Sequence, residues 1–189
     1  MKASIRRRSE TRPANQYGSQ SARDQLKANW RIFYDFAIAP PKSVSVVTLY
    51  QDERILNLYN RAVREAIFDL EKFAEARVRN GGQRAERITG NFVTGTFRHD
   101  TSRKLDPHLH THFVVFSSTF DPVESRWKAL EVQSMYRAQY FATNLYLHEL
   151  CKGLRALGCE IANTGRGFEI KGVPASVITR FSKTKRADQ

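Results

Sequence analysis

The stretch His99-Asp-Thr-Ser-Arg-Lys-Leu-Asp-Pro-His108-Leu-His110-Thr-His112 holds four of the five histidines of this 189-residue chain. His108, His110 and His112 alternate with other residues and lead into Phe-Val-Val-Phe, a run that is typical of a β-strand. Because side chains two residues apart point to the same face of a strand, these three imidazoles would share one face. His99 ends a second β-like run that begins at Asn91, and the Asp-Pro pair between the runs indicates a turn. The stretch therefore predicts a β-hairpin that gathers histidines.

The predicted hairpin offers the donors of a metal site. Neutral imidazole is the commonest metal ligand among side chains, and three protein ligands leave open positions at which a substrate can bind. We predict that this hairpin holds one divalent metal ion, which would be Mg²⁺, Mn²⁺ or Zn²⁺. The alternative is a polar cluster of histidines that binds no metal.

The charge of the chain favours a polyanionic partner. Its formal net charge is +12 and its isoelectric point is about 10.0, which points first to nucleic acid and second to a membrane surface. No apolar run is long enough to span a bilayer, and no apolar stretch follows the basic start, so neither membrane insertion nor secretion is predicted. Cys151 and Cys159 are the only cysteines, as expected for a protein of the reducing cytoplasm.

The segment that begins at Arg31 predicts a strand with two unlike faces. Four apolar residues alternate along it and define one face: Ile32, Tyr34, Phe36 and Ile38. Asp35 falls on the opposite face. Pro40 and Pro41 end the strand, and residues 43–49 are predicted to form a short helix behind them.

The remaining pattern predicts the fold class. Apolar residues at helical spacing indicate long helices over residues 53–79 and 132–157, which glycines terminate, and short β-like runs surround them. This order predicts an α+β fold in which helices pack on one antiparallel sheet as a two-layer sandwich. Residues 1–29 are polar and basic and predict a loosely ordered arm without a strand, and residues 30–189 would form the folded domain.

Three segments resemble motifs of the MobF-type (TraI/TrwC-like) conjugative relaxases of the His-hydrophobe-His endonuclease superfamily. The first is Asp35-Phe-Ala-Ile-Ala-Pro-Pro-Lys42-Ser-Val-Ser, which is similar to the family's Asp-Leu-Thr-Phe-Ser-Ala-Pro-Lys-Ser-Val-Ser. The second, which resembles the family's metal motif, runs from Phe97 to His112, and the third is Arg126-Trp-Lys-Ala-Leu. The resemblance covers about residues 31–184.

The resemblance implies a function. These relaxases nick single-stranded plasmid DNA at an origin of transfer and stay joined to its 5′ end through a tyrosine. By this resemblance the chain is expected to carry out metal-assisted transesterification of single-stranded or hairpin origin DNA in the bacterial cytoplasm. Other relaxosome proteins are its expected further partners, and a membrane is not.

The resemblance also implies roles for residues of the hairpin and of the first strand. His99, His110 and His112 match the metal ligands. His108 stands where the family does not require histidine, so it is expected beside the ligands or facing DNA. Asp35 matches an acid that orients a metal histidine or accepts the tyrosine proton, although a bond to a nearby backbone N–H would also explain it.

Three basic residues are candidate DNA contacts. Arg103 matches a family arginine close to the bound DNA, and Lys104 follows it in the predicted turn. Lys42 lies within the first motif and is a candidate contact for a phosphate. The alternatives are a solvated turn residue for Arg103 and an ordinary helix start for Lys42.

The tyrosine nucleophile is the main departure from the family pattern. In the family it lies several dozen residues before the Asp motif, but only 34 residues precede Asp35 here. Tyr17 is the only tyrosine before Tyr34, and its surroundings are polar. An N-terminally shortened relaxase domain with absent or impaired cleavage is therefore expected.

Two other functions remain open on the sequence. One is a non-catalytic remnant that binds metal and DNA. The other is a replication initiator or transposase of the same superfamily, which would use Tyr136 and Tyr140 as nucleophiles, because they lie four apart on one face of the second long helix. The competing interpretation is that both tyrosines pack against the sheet.

Overall fold

A computed structural model describes residues 2–4, 31–80, 82–165 and 167–182 of the chain. The strands in this part are β1 (Lys2–Ser4), β2 (Phe33–Ile38), β3 (Glu75–Asn80), β4 (Gln83–Ile88), β5 (Thr94–Thr101), β6 (Pro107–Phe116), β7 (Ser118–Asp121), β8 (Arg126–Glu131), β9 (Ile161–Thr164) and β10 (Gly167–Ile170). The helices are α1 (Lys42–Tyr50), α2 (Arg54–Glu71), α3 (Gln133–Ala156) and α4 (Ala175–Arg180). Within the described ranges, no helix has both the length and the hydropathy that crossing a bilayer requires.

The strands form two antiparallel four-stranded sheets and a separate hairpin. The first sheet has the order β1-β2-β6-β5 and the second β4-β3-β8-β7, while β9 pairs with β10. Ser117 links the two sheets, because its N–H donates to the carbonyl of Ile32 at 2.9 Å and its carbonyl accepts from the N–H of Leu130 at 3.3 Å. The chain therefore passes from β6 into β7 almost without interruption.

Strand β6 separates the core from the histidine face. Its burial alternates, with Leu109, Phe113 and Val115 fully buried, while His110 and His112 are half-buried. The buried face packs against α2 and α3 in one apolar cluster. Within this cluster, the ring of Phe113 stacks on that of Phe36 of β2, with 4.9 Å between the ring centroids.

Two helices are tied to the sheets by buried polar contacts. The Tyr59 hydroxyl of α2 donates to the carbonyl of Ile38 at 3.1 Å and lies 2.7 Å from the Thr111 hydroxyl. The first turn of α1 is capped from outside, because Glu169 accepts from the N–H of Ser43 at 2.9 Å and the Ser43 hydroxyl accepts from the N–H of Ile170 at 2.8 Å. These bonds satisfy groups that burial would otherwise leave without partners.

The α+β class and the helix-on-sheet packing are confirmed, but the predicted helix over residues 53–79 was too long. Helix α2 ends at Glu71, and residues 75–80 form β3 instead. Ala76 and Val78 are buried, whereas Arg77 and Arg79 are exposed, which is the two-residue period of a strand. β3 pairs with β4 along its whole length and with β8 at Glu75 and Ala76, and this pairing outweighs the helical propensity of the segment.

Two further expectations were wrong in part. One antiparallel sheet was predicted, but the structure has two four-stranded sheets, because the chain bends at Ser117 between β6 and β7. The expectation of no strand before residue 30 fails at Lys2–Ser4, which pairs with Asp35–Ala37 of β2. Three residues are too few to show the period of a strand. The sequence of this segment therefore does not predict the pairing, which only the tertiary structure shows. The rest of the predicted arm, residues 5–29, lies outside the described residues.

Candidate metal centre

The β5–β6 hairpin brings the predicted histidines together. His99 of β5 lies directly opposite His110 of β6, and Phe97 lies opposite His112, so all four side chains share one face of the sheet. The ring centroids of His99, His110 and His112 are 5.2 to 5.8 Å apart. Three imidazoles bound tetrahedrally to one ion at about 2.1 Å would have centroids roughly 5 Å apart. The spacing of the rings therefore suits one metal ion.

The donor atoms of these rings do not yet converge. In residues 31–80, 82–165 and 167–182, no three His, Cys, Asp or Glu side chains are already arranged as ligands of one ion. The rings of His99 and His110 are stacked with 25° between their planes, whereas ligands of one ion point their nitrogens inward. Rotation of the side chains, with the backbone unchanged, is what binding would require.

Hydrogen bonds prepare two of the rings for metal binding. The Nδ1 of His110 lies 2.8 Å from the carbonyl oxygen of His108, and the Nδ1 of His112 lies 2.8 Å from Oδ1 of Asp35. A carbonyl or carboxylate oxygen accepts, so each Nδ1 carries the proton and each Nε2 keeps a lone pair. Metal-binding histidines commonly show this arrangement, in which an outer partner fixes the tautomer and the ring orientation. The residues present therefore fit a metal ion.

The environment of His110 also favours the neutral form that binds metal. Burial lowers the pKa of His110 below its ordinary value, and the neighbouring imidazoles of His112 and His99 act in the same direction. The bond to the His108 carbonyl opposes the shift without reversing it. The ring is consequently available as a ligand at a lower pH than an exposed histidine.

Asp35 lies opposite the apolar face of β2, as the strand pattern predicted, and the pairing of β2 with β6 places it on the histidine face. It is 7% exposed and contacts His112 across the β2–β6 pair, in which Asp35 lies opposite Val114. A buried carboxylate next to an imidazole raises the basicity of the ligand and holds its ring. This contact supports the role in orienting a metal histidine over the alternative bond to a backbone N–H.

Asp35→Asn is expected to weaken metal binding about 10- to 100-fold, the usual cost of losing an outer partner of a ligand. The amide keeps the shape of the side chain but cannot supply the negative charge that polarises His112. Calorimetric titration with Zn²⁺ and Mn²⁺ would measure the effect. Asp100→Asn is the matched control, because Asp100 is an exposed carboxylate one residue from His99 that pairs with Arg98 at 3.4 Å. Equal losses in both variants would show that only net charge matters.

His108 lies at the start of β6, beside the three candidate ligands. Its ring stacks on that of His110 with 4.7 Å between centroids, and its backbone carbonyl orients His110. Because this hydrogen bond comes from the backbone carbonyl, the orientation of His110 does not depend on the side chain of His108. The position agrees with the expectation that His108 lies beside the ligands.

The three candidate DNA contacts lie around this hairpin. Arg103 and Lys104 are exposed in the turn between β5 and β6. That turn is tied together by the Ser102 hydroxyl, which accepts from the N–H of Lys104 and of Asp106 at 3.2 Å each. Lys42 donates from Nζ to the carbonyl of Pro107 at 2.9 Å, so it secures the beginning of β6.

The candidate nucleophiles lie away from the histidines or outside the described residues. Tyr17 belongs to the second group. Tyr136 packs on the core face, with its ring 5.4 Å from that of Phe36, and burial raises the pKa of its hydroxyl. Tyr140 is 83% exposed on α3. Packing against the sheet is thus confirmed for Tyr136 and was wrong for Tyr140, and the helix that carries both lies across the sheet from the histidines.

One basic surface, on the β3–β4 hairpin, was not predicted from the sequence. Arg79 and Arg84 lie opposite each other on the β3–β4 hairpin, and Arg77 and Glu86 form the next pair on the same face. All four are exposed. Assigning β3 to a helix concealed this surface, although the alternation of charged and apolar residues from Glu75 onward was the signal of a strand.

Comparison with known proteins places these features in a family. The family model of the TrwC relaxase matches residues 3–189. The chain is 35% identical over 165 residues to the multifunctional conjugation protein TraI of Escherichia coli (strain K12), a match that covers 81% of this chain and 9% of TraI.

Solved structures give the same result. The metal-bound conjugative relaxase TrwC in complex with oriT DNA superposes with a TM-score of 0.78 at 33% identity over 82% of this chain and 54% of that one. A copper-bound complex of TrwC with oriT DNA gives a TM-score of 0.81 at 31% identity, covering 90% and 59% of the two chains.

The helix-backed antiparallel sheet with histidines on its open face defines an α+β domain of the relaxase fold. The chain belongs to the TrwC relaxase family. It spans a little over half the length of these solved relatives and a small fraction of TraI.

Proposed function

We propose that this chain is a conjugative relaxase domain that performs metal-assisted nicking of single-stranded origin DNA in the bacterial cytoplasm. The observation that carries this proposal is the open sheet face on which three imidazoles lie 5.2 to 5.8 Å apart and Asp35 orients one of them. The net charge of +12 and the TrwC complexes with oriT DNA support DNA as the substrate. Other relaxosome proteins are proposed as further partners.

His99, His110 and His112 are the proposed ligands of one divalent ion. When bound there, the ion supplies a Lewis acid that offsets charge developing on the scissile phosphate. Among Mg²⁺, Mn²⁺ and Zn²⁺, three imidazoles suit Zn²⁺ best, because Mg²⁺ and Mn²⁺ prefer oxygen ligands. The hydrogen bond to Asp35 would hold the His112 ring in place during the reaction.

Basic residues on two sides of the histidines would hold the DNA. Arg103 and Lys104 contact phosphates next to the scissile bond, and Lys42 acts by positioning β6. The arginines of the β3–β4 hairpin suit a duplex, because a two-stranded ribbon fits the major groove. This hairpin would hold the stem of a hairpin substrate.

DNA binding is expected to depend steeply on salt. Each phosphate contacted on a single strand should lower the logarithm of affinity by about 0.7 per logarithmic unit of salt, because counterions are released. Fluorescence anisotropy with a labelled oligonucleotide at several salt concentrations measures the slope. Tighter binding to anionic vesicles than to DNA would contradict the proposal.

Cleavage by this chain is expected to be weak or absent. Four of the six tyrosines in the described part (Tyr34, Tyr59, Tyr136 and Tyr146) pack on the core side of the sheet, and Tyr50 and Tyr140 lie on helices. Without an oriented hydroxyl, the reaction loses a proximity effect of about 7–11 kcal/mol. Incubation with origin DNA and Mn²⁺, followed by a denaturing gel, detects a covalent protein–DNA adduct. An adduct that disappears in Tyr17→Phe would identify Tyr17 as the nucleophile and show that the chain is active.

The binding remnant is the second candidate, and the position of the tyrosines favours it over the initiator. Saturable metal and DNA binding without any adduct would establish it. An initiator needs Tyr136 or Tyr140 beside the histidines, but α3 packs on the core face of the sheet. That alternative is therefore not favoured.

A further inference from the structure

Four exposed aromatic side chains lie on the β-sheets near the histidines. Phe97, Phe116, Phe120 and Trp127 are 55%, 44%, 37% and 59% exposed, and we call them the aromatic track. Phe116 follows His112 by four residues on the same face of β6, a separation of about 13 Å along the strand. The track therefore begins at the metal centre and leads away from it.

Phe97 covers the space between His112 and Phe116. It lies opposite His112, and its ring leans over Gly95, where a Cβ atom would approach the ring to 3.3 Å. Gly95 in turn lies opposite Val114, the residue between His112 and Phe116 on that face. The absence of a side chain at Gly95 thus lets the Phe97 ring extend along the sheet.

An open groove lies beyond Phe116, where the two sheets meet. It has a volume of about 940 Å³, and both Phe116 and Trp127 line it. The charged residues of its lining are all basic, namely Arg31, Arg77 and Lys128. Arg77 pairs with Glu131 at 2.6 Å, and Lys128, whose side chain is 9% exposed, pairs with Asp121 at 3.3 Å and also with Glu124. The aromatic surface of the groove suits unpaired bases, and the exposed Arg31 in its lining suits a phosphate.

The far end of the track is held rigidly. Phe120 and Trp127 face each other across the β7–β8 pair, with ring centroids 5.7 Å apart. Asp121 at the end of β7 is fully buried and accepts from Arg87 at 2.7 Å and from the N–H of Val123 at 2.9 Å. Because this network secures the hairpin, Trp127 needs little reordering to receive a base.

We propose that the aromatic track stacks unpaired bases of single-stranded DNA, on the side of the metal centre that leads from His112 over Phe97 and Phe116 to Trp127. The inference rests on the proposed function, because it assigns a path to the substrate of that site. Stacking tolerates any base, so the track adds affinity and alignment without reading sequence.

The test uses the whole 189-residue chain. Trp30 and Trp127 are its two tryptophans, so Trp30→Phe leaves Trp127 as the sole tryptophan, whose emission is excited selectively over that of the tyrosines. Titration with an oligothymidylate of about 12 nucleotides, within the range that single-strand sites cover, should quench this fluorescence to saturation. Measured by anisotropy of the same oligonucleotide carrying a dye, Trp127→Ala should lower affinity about tenfold or more, and Trp127→Phe should keep most of it. Phe97→Ala should also weaken binding.

Tyr140→Ala is the matched control, because Tyr140 is an exposed aromatic residue on the helix layer. It should leave DNA affinity unchanged, and Trp127→Ala should leave metal affinity unchanged. If wild type and Trp127→Ala bind DNA equally well, the track is wrong while the proposed function stands. If Trp127→Ala changes only the oligomeric state, the groove is a protein interface and the track is equally wrong. If the wild type binds no DNA, both proposals fail.

Discussion

His110→Ala is expected to abolish specific binding of a divalent ion, with a loss larger than the roughly 100-fold that an outer partner can cause. His110 is the central ring of the three, because both His99 and His112 lie 5.2 Å from it. Its removal leaves two imidazoles, which do not form a closed binding site. Calorimetric titration with Zn²⁺ and Mn²⁺ measures the loss, and circular dichroism checks the fold.

Two controls separate the ligands from other histidines. His108→Ala should retain most of the affinity, because the carbonyl that orients His110 belongs to the backbone. His148→Ala removes an exposed histidine of α3 and should have no effect. Loss of the site in His108→Ala together with its retention in His99→Ala would overturn the ligand assignment.

Metal affinity should also decrease at low pH. Protons compete with the metal for Nε2, so binding should weaken as pH falls through about 6.5, the ordinary imidazole value. Burial lowers the pKa of His110, so this ligand stays neutral at a pH where an exposed imidazole is already protonated. Titrations at pH 5.5 to 8, in about half-unit steps around that value, would show the decline. Affinity that does not change with pH would exclude imidazole ligands.

Phe113→Ala is expected to lower the free energy of unfolding by about 3–5 kcal/mol, the usual cost of a large cavity in the core. Phe113 is next to His112 in sequence, yet its side chain is fully buried and stacks on Phe36. Urea unfolding followed by circular dichroism measures the change.

Phe116→Ala is the matched control for the core substitution, since it removes the same atoms three residues further along β6. Phe116 is 44% exposed on the opposite face, so its loss should cost much less stability. A similar loss in both variants would mean that β6 does not separate a core face from an open face. The two faces of one strand thus have different predicted phenotypes, folding on one and binding on the other.

The helices show where sequence patterns succeed and fail. Helix α3 was predicted within one residue at each end, because its apolar stripe is long and a glycine follows it. Residues 75–80 were assigned to the wrong element, because Ala76 and Val78 also fit a helical spacing when counted together with α2. Only the pairing of residues 75–80 with β4 and β8 distinguishes a strand from a helix here. Their partners lie 3 to 13 residues away on β4 and 54 to 56 residues away on β8.

By itself the sequence determined the hairpin, the shared face of His108, His110 and His112, and the separation of Asp35 from the core. The physical reason is that the period of two along a strand places alternate side chains on opposite faces. A motif then identified the family, which the comparisons confirm.

The tertiary structure decided the features that the periodicity of a single strand or helix cannot predict. It set the register that places His99 opposite His110, the contact of Asp35 with His112 and the bend at Ser117 that divides the sheet in two. It also brought Phe116 of β6 and Trp127 of β8 to the lining of one groove. These relations join residues far apart in sequence, and they depend on backbone pairing and packing between strands, which the order of amino acids along one strand does not express.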